Sequence, residues 1–340
     1  MTHVVTFGEI MLRLNPPGHQ RLVQATNFEA SYAGGEANVA VSLACLGDQA
    51  AYVTTVPANA LGDCAVNALR RYGVDTTQIR RGGNRLGAYF VEKGASQRSS
   101  TVLYDRTDSA VAMADPSTYD WDQILDDADW LHLSGITPAL SARAAQACRD
   151  AARTAQRLGV TVSCDLNYRS RLWSREAASA FMAELAGDVD VLVANEEDPF
   201  DVFGIAAAGT DIEAGGLDQA GYDEVARALT ERFGFTTVAI TLRQSISASQ
   251  NDWSGLIHRD GQTCFAPTYH LTIVDRVGGG DSFAAGLIHA LRAGMTAQES
   301  IDFAVGASCL KHSIEHDFNL VSVSEVEALI HGTGSGRIRR

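Results

Sequence analysis

Short β-branched segments alternate with helix-like segments along most of this chain, and this alternation limits the possible fold more than any other feature. The strand-like segments are 4–10, 51–56, 130–133, 161–165, 189–194 and 236–241. The helix-like segments are 37–46, 64–72, 141–158, 174–186 and 222–233. Repeated strand–helix units are typical of a mainly parallel sheet with helices on both faces. We therefore predict a doubly wound α/β domain over residues 1–330, with its ligands beyond the carboxyl ends of the strands.

Two regions break the alternation. Residues 11–28 contain Asn15 and two prolines, and residues 86–104 have the pattern of two strands around a polar turn. Because neither region has a helical period, we predict that both supply strands to a small accessory sheet inserted into the main domain. Such a sheet would act as a lid over the ligand site. Residues 331–340 are expected to form a flexible tail.

The charge of the chain excludes some classes of partner. The 340 residues carry a formal net charge of −14. An acidic surface repels nucleic acid and anionic membranes, so we expect neither as a partner. An anionic ligand must instead meet arginine side chains or backbone N–H groups that are gathered at its site.

The sequence also predicts a cytoplasmic protein. Its first residues lack the basic segment and apolar run of a signal peptide, and no stretch reaches the roughly 18 apolar residues of a membrane span. The six cysteines are scattered without a C-x-x-C pair, as is typical of buried thiols in a reducing compartment.

A run of three glycines followed by an aspartate is the most informative local motif. Gly278, Gly279 and Gly280 follow a strand-like segment, 269–274, and precede an amphipathic helix. Glycines at a helix N-terminus leave backbone N–H groups free to hold an anion such as phosphate. Asp281 then stands beside the anion, where a carboxylate can take a proton from an attacking hydroxyl. The alternative is that Asp281 only caps the helix and that the glycines form a flexible loop.

Two other nucleotide-binding patterns are missing from the sequence. It contains no G-x-x-x-x-G-K-[ST] motif, and no G-x-G-x-x-G motif follows the first strand-like segment. Both absences disfavour a P-loop enzyme and a dinucleotide-dependent enzyme. A nucleotide-dependent oxidoreductase stays open only through the α/β alternation, and a titration with NADH would test it.

Two signatures resemble those of the phosphofructokinase B (PfkB), or ribokinase-like, carbohydrate kinases. The glycine run lies in D-x-V-G-x-G-D-x-F, which resembles the C-terminal signature of that family, with Gly279 where alanine is more usual. Residues 34–40, GGEANVA, resemble the N-terminal signature and lie about 240 residues earlier. The resemblance covers nearly the whole chain. It implies a ribokinase-like fold with a β-sheet lid, and transfer of the γ-phosphoryl group of ATP to a sugar hydroxyl with Mg²⁺.

The resemblance also implies which residues contact ATP and Mg²⁺. Asn195 and Asp198 match the N-x-x-E motif that organises Mg²⁺ and phosphate, with aspartate in place of glutamate. Because Asp198 is one methylene shorter, Glu197 or Glu196 is a candidate to share that role, although an acidic helix start stabilised by the helix dipole would look the same for both. Asp275 is the candidate for a monovalent-cation site found in some relatives. Contacts to the nucleotide are expected from Asn195, Thr241, Arg243, Gly278, Gly280 and Ser282.

Segments near the expected sugar site resemble the 2-keto-3-deoxygluconate kinases in particular. These segments are 94–106, 134–140, 165–173 and 316–322. The carboxylate of such a substrate needs a planar, two-pronged donor, for which Arg106 and Arg169 are candidates, and Arg171 lies close enough to be mistaken for Arg169. The sugar pocket that the resemblance implies is formed by Gly34, Gly35, Asn38, Tyr89, Tyr104, Arg106, Asn167, Arg169, Asp281 and Asp317.

The expected reaction converts 2-keto-3-deoxygluconate to 2-keto-3-deoxy-6-phosphogluconate, with Asp281 as the base and the amides of Gly278–Gly280 as the anion hole. A kinase for ketodeoxygalactonate or fructose stays open, as does a non-catalytic sugar-acid sensor, although a sensor would not need Asp281. The resemblance further implies a homo-oligomer that pairs through the lid. His312 and His316 have the spacing of a metal-binding pair, but no H-E-x-x-H pattern is completed, and we predict no metal there.

Overall fold

The computed structural model describes residues 3–207 and 218–332, and this part of the chain forms fourteen strands and eleven α-helices. The strands are β1 (His3–Phe7), β2 (Met11–Asn15), β3 (Glu29–Ala33), β4 (Ala50–Val56), β5 (Ile79–Arg81), β6 (Gly87–Glu92), β7 (Thr101–Asp105), β8 (Ala128–Ser134), β9 (Thr161–Asp165), β10 (Val191–Ala194), β11 (Thr237–Ser247), β12 (Gln250–Arg259), β13 (Gln262–Phe265) and β14 (Tyr269–Thr272). The helices are α1 (Gly35–Cys45), α2 (Ala60–Arg70), α3 (Ala110–Met113), α4 (Trp121–Ile124), α5 (Ala142–Leu158), α6 (Arg175–Leu185), α7 (Asp198–Phe203), α8 (Gln219–Phe233), α9 (Gly279–Arg292), α10 (Ala297–Lys311) and α11 (Val323–Ile330).

The main sheet has ten strands, in the order β13-β12-β11-β10-β9-β8-β1-β4-β5, with β14 also paired to β12. Seven neighbouring strands of this sheet are parallel, namely β5, β4, β1, β8, β9, β10 and β11. Strand β12 runs antiparallel to β11. The mainly parallel α/β sheet that the sequence predicts is therefore confirmed. The antiparallel edge was not predicted, because β12 mixes polar and apolar residues and has no clear strand pattern.

Helices cover both faces of the main sheet, and each face has its own apolar core. Alternate residues of a strand point to opposite faces, so Val5 of β1 packs into one core and its neighbour Val4 into the other. Helices α5, α6 and α8 pack on the first face. Helices α1, α2, α9 and α10 pack on the second face. No α-helix in 3–207 or 218–332 is long and apolar enough to cross a membrane.

A separate sheet of four strands stands beside the main sheet, in the order β3-β2-β6-β7. The expected segments 11–28 and 86–104 contain β2, β6 and all but the last residue of β7, whereas β3 begins one residue after the first segment ends. Strand β2 pairs parallel with β6, and the two outer pairs are antiparallel. The sheet itself is therefore confirmed, while its closing movement and its pairing with a second copy stay predictions.

One buried ion pair joins the small sheet to the main domain. Arg13 on β2 is fully buried, and its two Nη atoms each donate at 2.6 Å, one to Asp317 and one to Asp275. Tyr89 on β6 donates to the second oxygen of Asp317 at 2.7 Å. Burial alone would lower the pKa of Arg13, but Asp317 and Asp275 raise it above its ordinary value. The guanidinium is therefore charged and fixes β2 against the loops before α9 and after α10.

Replacing Arg13 by Met should destabilise the protein strongly, because two buried carboxylates lose their counterion. We expect a loss of about 3–5 kcal/mol in the free energy of unfolding, measured by urea denaturation. The control is Arg85→Met, which breaks an exposed ion pair between Arg85 and Asp105 on the same sheet and should cost about 1 kcal/mol or less. Equal losses for the two variants would contradict the structural role given to Arg13.

Candidate functional site

A cleft of about 260 Å³ lies between the small sheet and the carboxyl ends of the parallel strands. Asp165 and Ala194, the last residues of β9 and β10, form its floor, and Tyr89 and Tyr104 of the small sheet form one wall. The start of α9 reaches the same cleft. Ligands of open α/β sheets bind at this position, so the cleft is the candidate functional site.

The glycine run forms the turn that opens α9. Gly278 has a φ of +86°, which favours glycine, and a Cβ there would lie 2.1 Å from the carbonyl oxygen of Asp317. A Cβ on Gly279 would lie 2.7 Å from the ring of His312, whereas a Cβ on Gly280 would meet nothing within 4 Å. The run therefore packs closely on one side and is open at Gly280. The N–H groups of a first helical turn have no partner inside the helix and suit an anion.

Asp281 lies in the first turn of α9, partly accessible from the cleft. The Asn38 side chain, from the first turns of α1, donates to one oxygen of Asp281 at 2.6 Å. Burial raises the pKa of Asp281 to about 7; Asp317 and Glu36 add to the rise, whereas Asn38 and Arg169 oppose it. A carboxyl with this pKa exchanges its proton near neutral pH, as a general base must.

The wall formed by the small sheet carries two stacked tyrosines and an arginine. The rings of Tyr89 and Tyr104 are stacked with centroids 5.9 Å apart, and the Arg106 guanidinium lies 5.3 Å from the Tyr104 ring. Arg106 is nine-tenths buried, and its Nε donates to Glu9 at 2.7 Å. Sequence reasoning missed Glu9, which lies 97 residues from Arg106 and compensates its charge.

Arg169 lies in the cleft without a direct ion pair, although its charge opposes the rise in the pKa of Asp165, Asp198 and Asp281. It is exposed, its Nη1 donates to the carbonyl of Tyr168 at 2.8 Å, and no carboxylate in the described parts of the chain forms an ion pair with it. The neighbouring Asn167, with a φ of +39°, donates to the buried Asp165 at 3.2 Å. Arg171 does not line the cleft, since its Nη1 contacts the carbonyl of Val102 on β7.

The acidic residues after β10 do not all reach the cleft. The side chain of Asn195 accepts from the N–H groups of Glu197 and Asp198, at 2.7 and 2.9 Å, and so stabilises the turn that leads into α7. Asp198 is buried in the cleft wall and accepts from two backbone N–H groups, of Tyr168 and Asn195. Glu197 is exposed and does not line the cleft, whereas the buried Glu196 does and pairs with Arg243 at 3.0 Å.

The remaining predicted residues divide between the cleft and the packing beneath it. Thr241, Gly34 and Gly35 line the cleft, together with Asp317. Ser282 does not line it; its hydroxyl donates to the carbonyl of Gly278 at 2.7 Å and supports the turn. The cleft residues that sequence reasoning missed include Glu9, Glu36, Asp165, Asn251, Trp253, Arg276 and His312.

The residues of the two candidate cation sites make other contacts within the protein. Asp275 accepts from Arg13 and from the N–H of Val277, so its carboxylate is already engaged. His312 and His316 do not share a helix face, because α10 ends at Lys311 and His316 has a φ of +64°. Burial lowers the pKa of His312 to about 4. Among the described residues, no group of three or more His, Cys, Asp and Glu side chains is arranged to hold a metal ion.

The fold and the cleft agree with the family that the sequence signatures indicate. Residues 1–313 match the pfkB family of carbohydrate kinases. The chain therefore belongs to the PfkB family and is a carbohydrate kinase.

Individual members of the family and solved structures are also similar to this chain. The crystal structure of a 2-dehydro-3-deoxygluconokinase from Thermotoga maritima is 49% identical, with a TM-score of 0.95 over 98% of this chain and 100% of that one. The 2-dehydro-3-deoxygalactonokinase of Haloferax volcanii is 35% identical over 98% of each chain. A putative ribokinase II from E. coli, in complex with ATP and Mg²⁺, has a TM-score of 0.81 over 98% of this chain and 100% of that one. It is only 18% identical and shows the fold alone.

The raised pKa of Asp281 predicts a stability that depends on pH. An unfolded aspartate ionises near pH 4, whereas Asp281 in the folded protein keeps its proton up to about pH 7. Ionisation of Asp281 therefore lowers stability as the pH rises between these values. Asp281→Asn should match the wild type at pH 4 and be more stable by about 1–2 kcal/mol at pH 8, since water in the cleft screens part of the charge.

Thermal unfolding at the two pH values measures this difference. Asp260→Asn is the matched control, because it removes an exposed carboxyl in a surface turn outside the cleft and leaves Asp281 intact. If Asp281→Asn showed the same difference in stability between pH 4 and pH 8 as this control, the carboxyl of Asp281 would not have a raised pKa.

Proposed function

We propose that this carbohydrate kinase phosphorylates the sugar acid 2-keto-3-deoxygluconate, with ATP as donor and Asp281 as general base. The product is 2-keto-3-deoxy-6-phosphogluconate. The observation that carries the proposal is that Arg169 lies in the same cleft as Asp281 and the glycine run and forms no ion pair with a carboxylate of the described residues. The name of the relative that is 49% identical supports the same substrate.

Arg169 is the proposed partner of the substrate carboxylate. Arg106 already shares its charge with Glu9, and Arg243 shares its charge with Glu196, so neither brings net positive charge to the cleft. Arg169 is exposed, has no direct ion pair, and carries a planar guanidinium, which can meet a carboxylate with two parallel hydrogen bonds. Arg106, Tyr89 and Tyr104 then form the wall against which the carbon chain of the sugar packs.

Asp281 is the proposed base. A primary hydroxyl that lies beside Asp281 loses its proton to the carboxylate as its oxygen attacks the γ-phosphorus. Asn38 holds the carboxylate in place through its 2.6 Å hydrogen bond. The free N–H groups at the start of α9 stabilise the charge that develops on the transferring phosphoryl group. Closure of the small sheet over the cleft would exclude water, which would otherwise accept the phosphoryl group.

The cleft suits ATP and Mg²⁺ through the chemistry of its lining. Amide N–H groups and arginines can receive phosphate oxygens. The carboxylates of Asp198 and Glu196 are engaged by backbone N–H groups and by Arg243, so we expect them to reach Mg²⁺ through water rather than to form a protein cage. Bound Mg²⁺ would neutralise charge on the phosphate oxygens.

Removal of the base should abolish most of the turnover without loss of substrate binding. Asp281→Asn should lower kcat by about 10² or more, because a positioned base contributes about 10²–10⁴. The Kd for the sugar acid, measured by calorimetry, should change little. In the wild type, kcat/KM at low concentrations of both substrates should fall about tenfold per pH unit below pH of about 7, where Asp281 is protonated. Turnover of Asp281→Asn close to that of wild type would rule out this base.

The carboxylate contact can be tested on a pair of neighbouring arginines. Arg169→Ala should raise KM for 2-keto-3-deoxygluconate by about ten- to a hundredfold, as expected for a lost charge-assisted hydrogen bond. Lys at position 169 should recover only part of this loss, because an ammonium cannot form the two-pronged contact. Arg171→Ala is the matched control and should keep the wild-type KM, since Arg171 contacts Val102 outside the cleft.

The substrate itself is tested by an ADP-release assay across a panel of sugars. The name of the Haloferax relative makes 2-keto-3-deoxygalactonate the second candidate, so both C4 epimers belong in the panel. An analogue with the carboxylate reduced to an alcohol should be a poor substrate. If fructose or ribose were phosphorylated as efficiently as the keto acid, the arginines would serve another purpose. If no sugar or sugar acid were phosphorylated, a non-catalytic sensor would be the better explanation.

A further inference from the structure

Arg276 is a second arginine of the cleft without a counterion, and sequence reasoning did not identify it. It lies two residues before Gly278, in the loop between β14 and α9. Its Nη2 donates to the carbonyls of Ala248 at 2.9 Å and Ser247 at 3.4 Å, at the tip of the β11–β12 hairpin. Its Nε is buried without a hydrogen-bond partner. Within 3–207 and 218–332, Arg276 forms no ion pair with a carboxylate.

The charges around Arg276 make its position unfavourable while the cleft holds no anion. Burial is the main cause that lowers the pKa of Arg276, and the nearby Arg243 lowers it further, while Asp275 opposes both. The carboxylate of Asp275 is occupied by Arg13, and that of Glu196 by Arg243. A partly desolvated cation without a partner is costly to a fold. Such a cation is expected where an anion binds.

The position of Arg276 indicates which anion it binds. Its guanidinium and the N–H groups at the start of α9 line the same cleft, and Arg276 lies two residues before the glycine turn, in contact with the hairpin tip. The phosphate chain of a nucleotide has enough oxygens to contact both the guanidinium and these N–H groups. Arg243, the candidate from the sequence, is less suited, because Glu196 already accepts two of its N–H groups.

We propose that Arg276 binds the phosphate chain of the nucleotide, and this inference rests on the proposed use of ATP. One edge of the guanidinium stays on the carbonyls of the hairpin tip, and the rest meets phosphate oxygens. The contact needs the β-phosphate and not the sugar acid, so it is present with ADP and absent with adenosine. Nucleotide binding then also holds the hairpin tip in place.

Calorimetry with ADP and with adenosine, in the presence of Mg²⁺, tests this inference apart from activity. For Arg276→Gln, we expect the Kd of ADP to rise by about ten- to a hundredfold and the Kd of adenosine to stay unchanged. Arg276→Lys should recover part of the ADP affinity, because it keeps the charge but not the planar fork. Arg171→Gln is the control outside the cleft and should bind ADP like the wild type.

The possible outcomes separate this inference from the proposed function. An unchanged Kd for ADP in Arg276→Gln would overturn the inference. Equal weakening of ADP and adenosine would also overturn it, because Arg276 would then act only by holding the hairpin. If Arg276→Gln failed to fold, an Arg276→Lys variant that bound ADP as tightly as the wild type would overturn the inference, whereas weaker binding of ADP with unchanged binding of adenosine would support it. If the wild type did not bind ADP, the proposed phosphate donor would be wrong and the inference would fall with it.

Discussion

The buried pairing of Arg13 with Asp275 and Asp317 is the contact on which the rest of the site depends. Arg13 belongs to the small sheet, whereas the two carboxylates lie on either side of α9 in the sequence. Asp317 also accepts from Tyr89, and its carbonyl packs against Gly278. One guanidinium therefore fixes the small sheet, a tyrosine of the cleft wall and the glycine turn relative to one another. Its burial is tolerated because both Nη atoms meet carboxylates.

The other charges of the cleft follow a simple division. Arg106 and Arg243 each share their charge with a buried glutamate, Glu9 and Glu196. Arg169 and Arg276 also line the cleft, and neither forms a direct ion pair with a carboxylate of the described residues. In a chain with a net charge of −14, two arginines without a direct ion pair thus lie in the cleft where a sugar carboxylate and a phosphate chain are proposed to bind.

Local patterns allowed much of this structure to be predicted from the sequence. The β-branched runs, the helical periods and the glycine run before Asp281 each lie within a short segment, so the sheet, the helices and the start of α9 could be inferred. Glu9 with Arg106, and Arg13 with Asp317, are separated by 97 and 304 residues. No pattern in a single sequence joins residues so far apart. For that reason the sequence could suggest Arg106 and Arg169 equally for the carboxylate, and only their surroundings distinguish them.

The division of the cleft between two sheets has an evolutionary consequence. Gly278–Gly280 and Asp281 belong to the main domain, whereas Tyr89 and Tyr104 belong to the small sheet. A substitution of Tyr104 on β7 can alter the shape of the cleft wall while the contact of Tyr89 with Asp317, beside the glycine turn, stays in place. Descendants of one ancestral gene can therefore gain new substrates by changes in a few short strands while they inherit the same chemistry. In such a protein, the preference for a substrate can change more readily than the type of reaction.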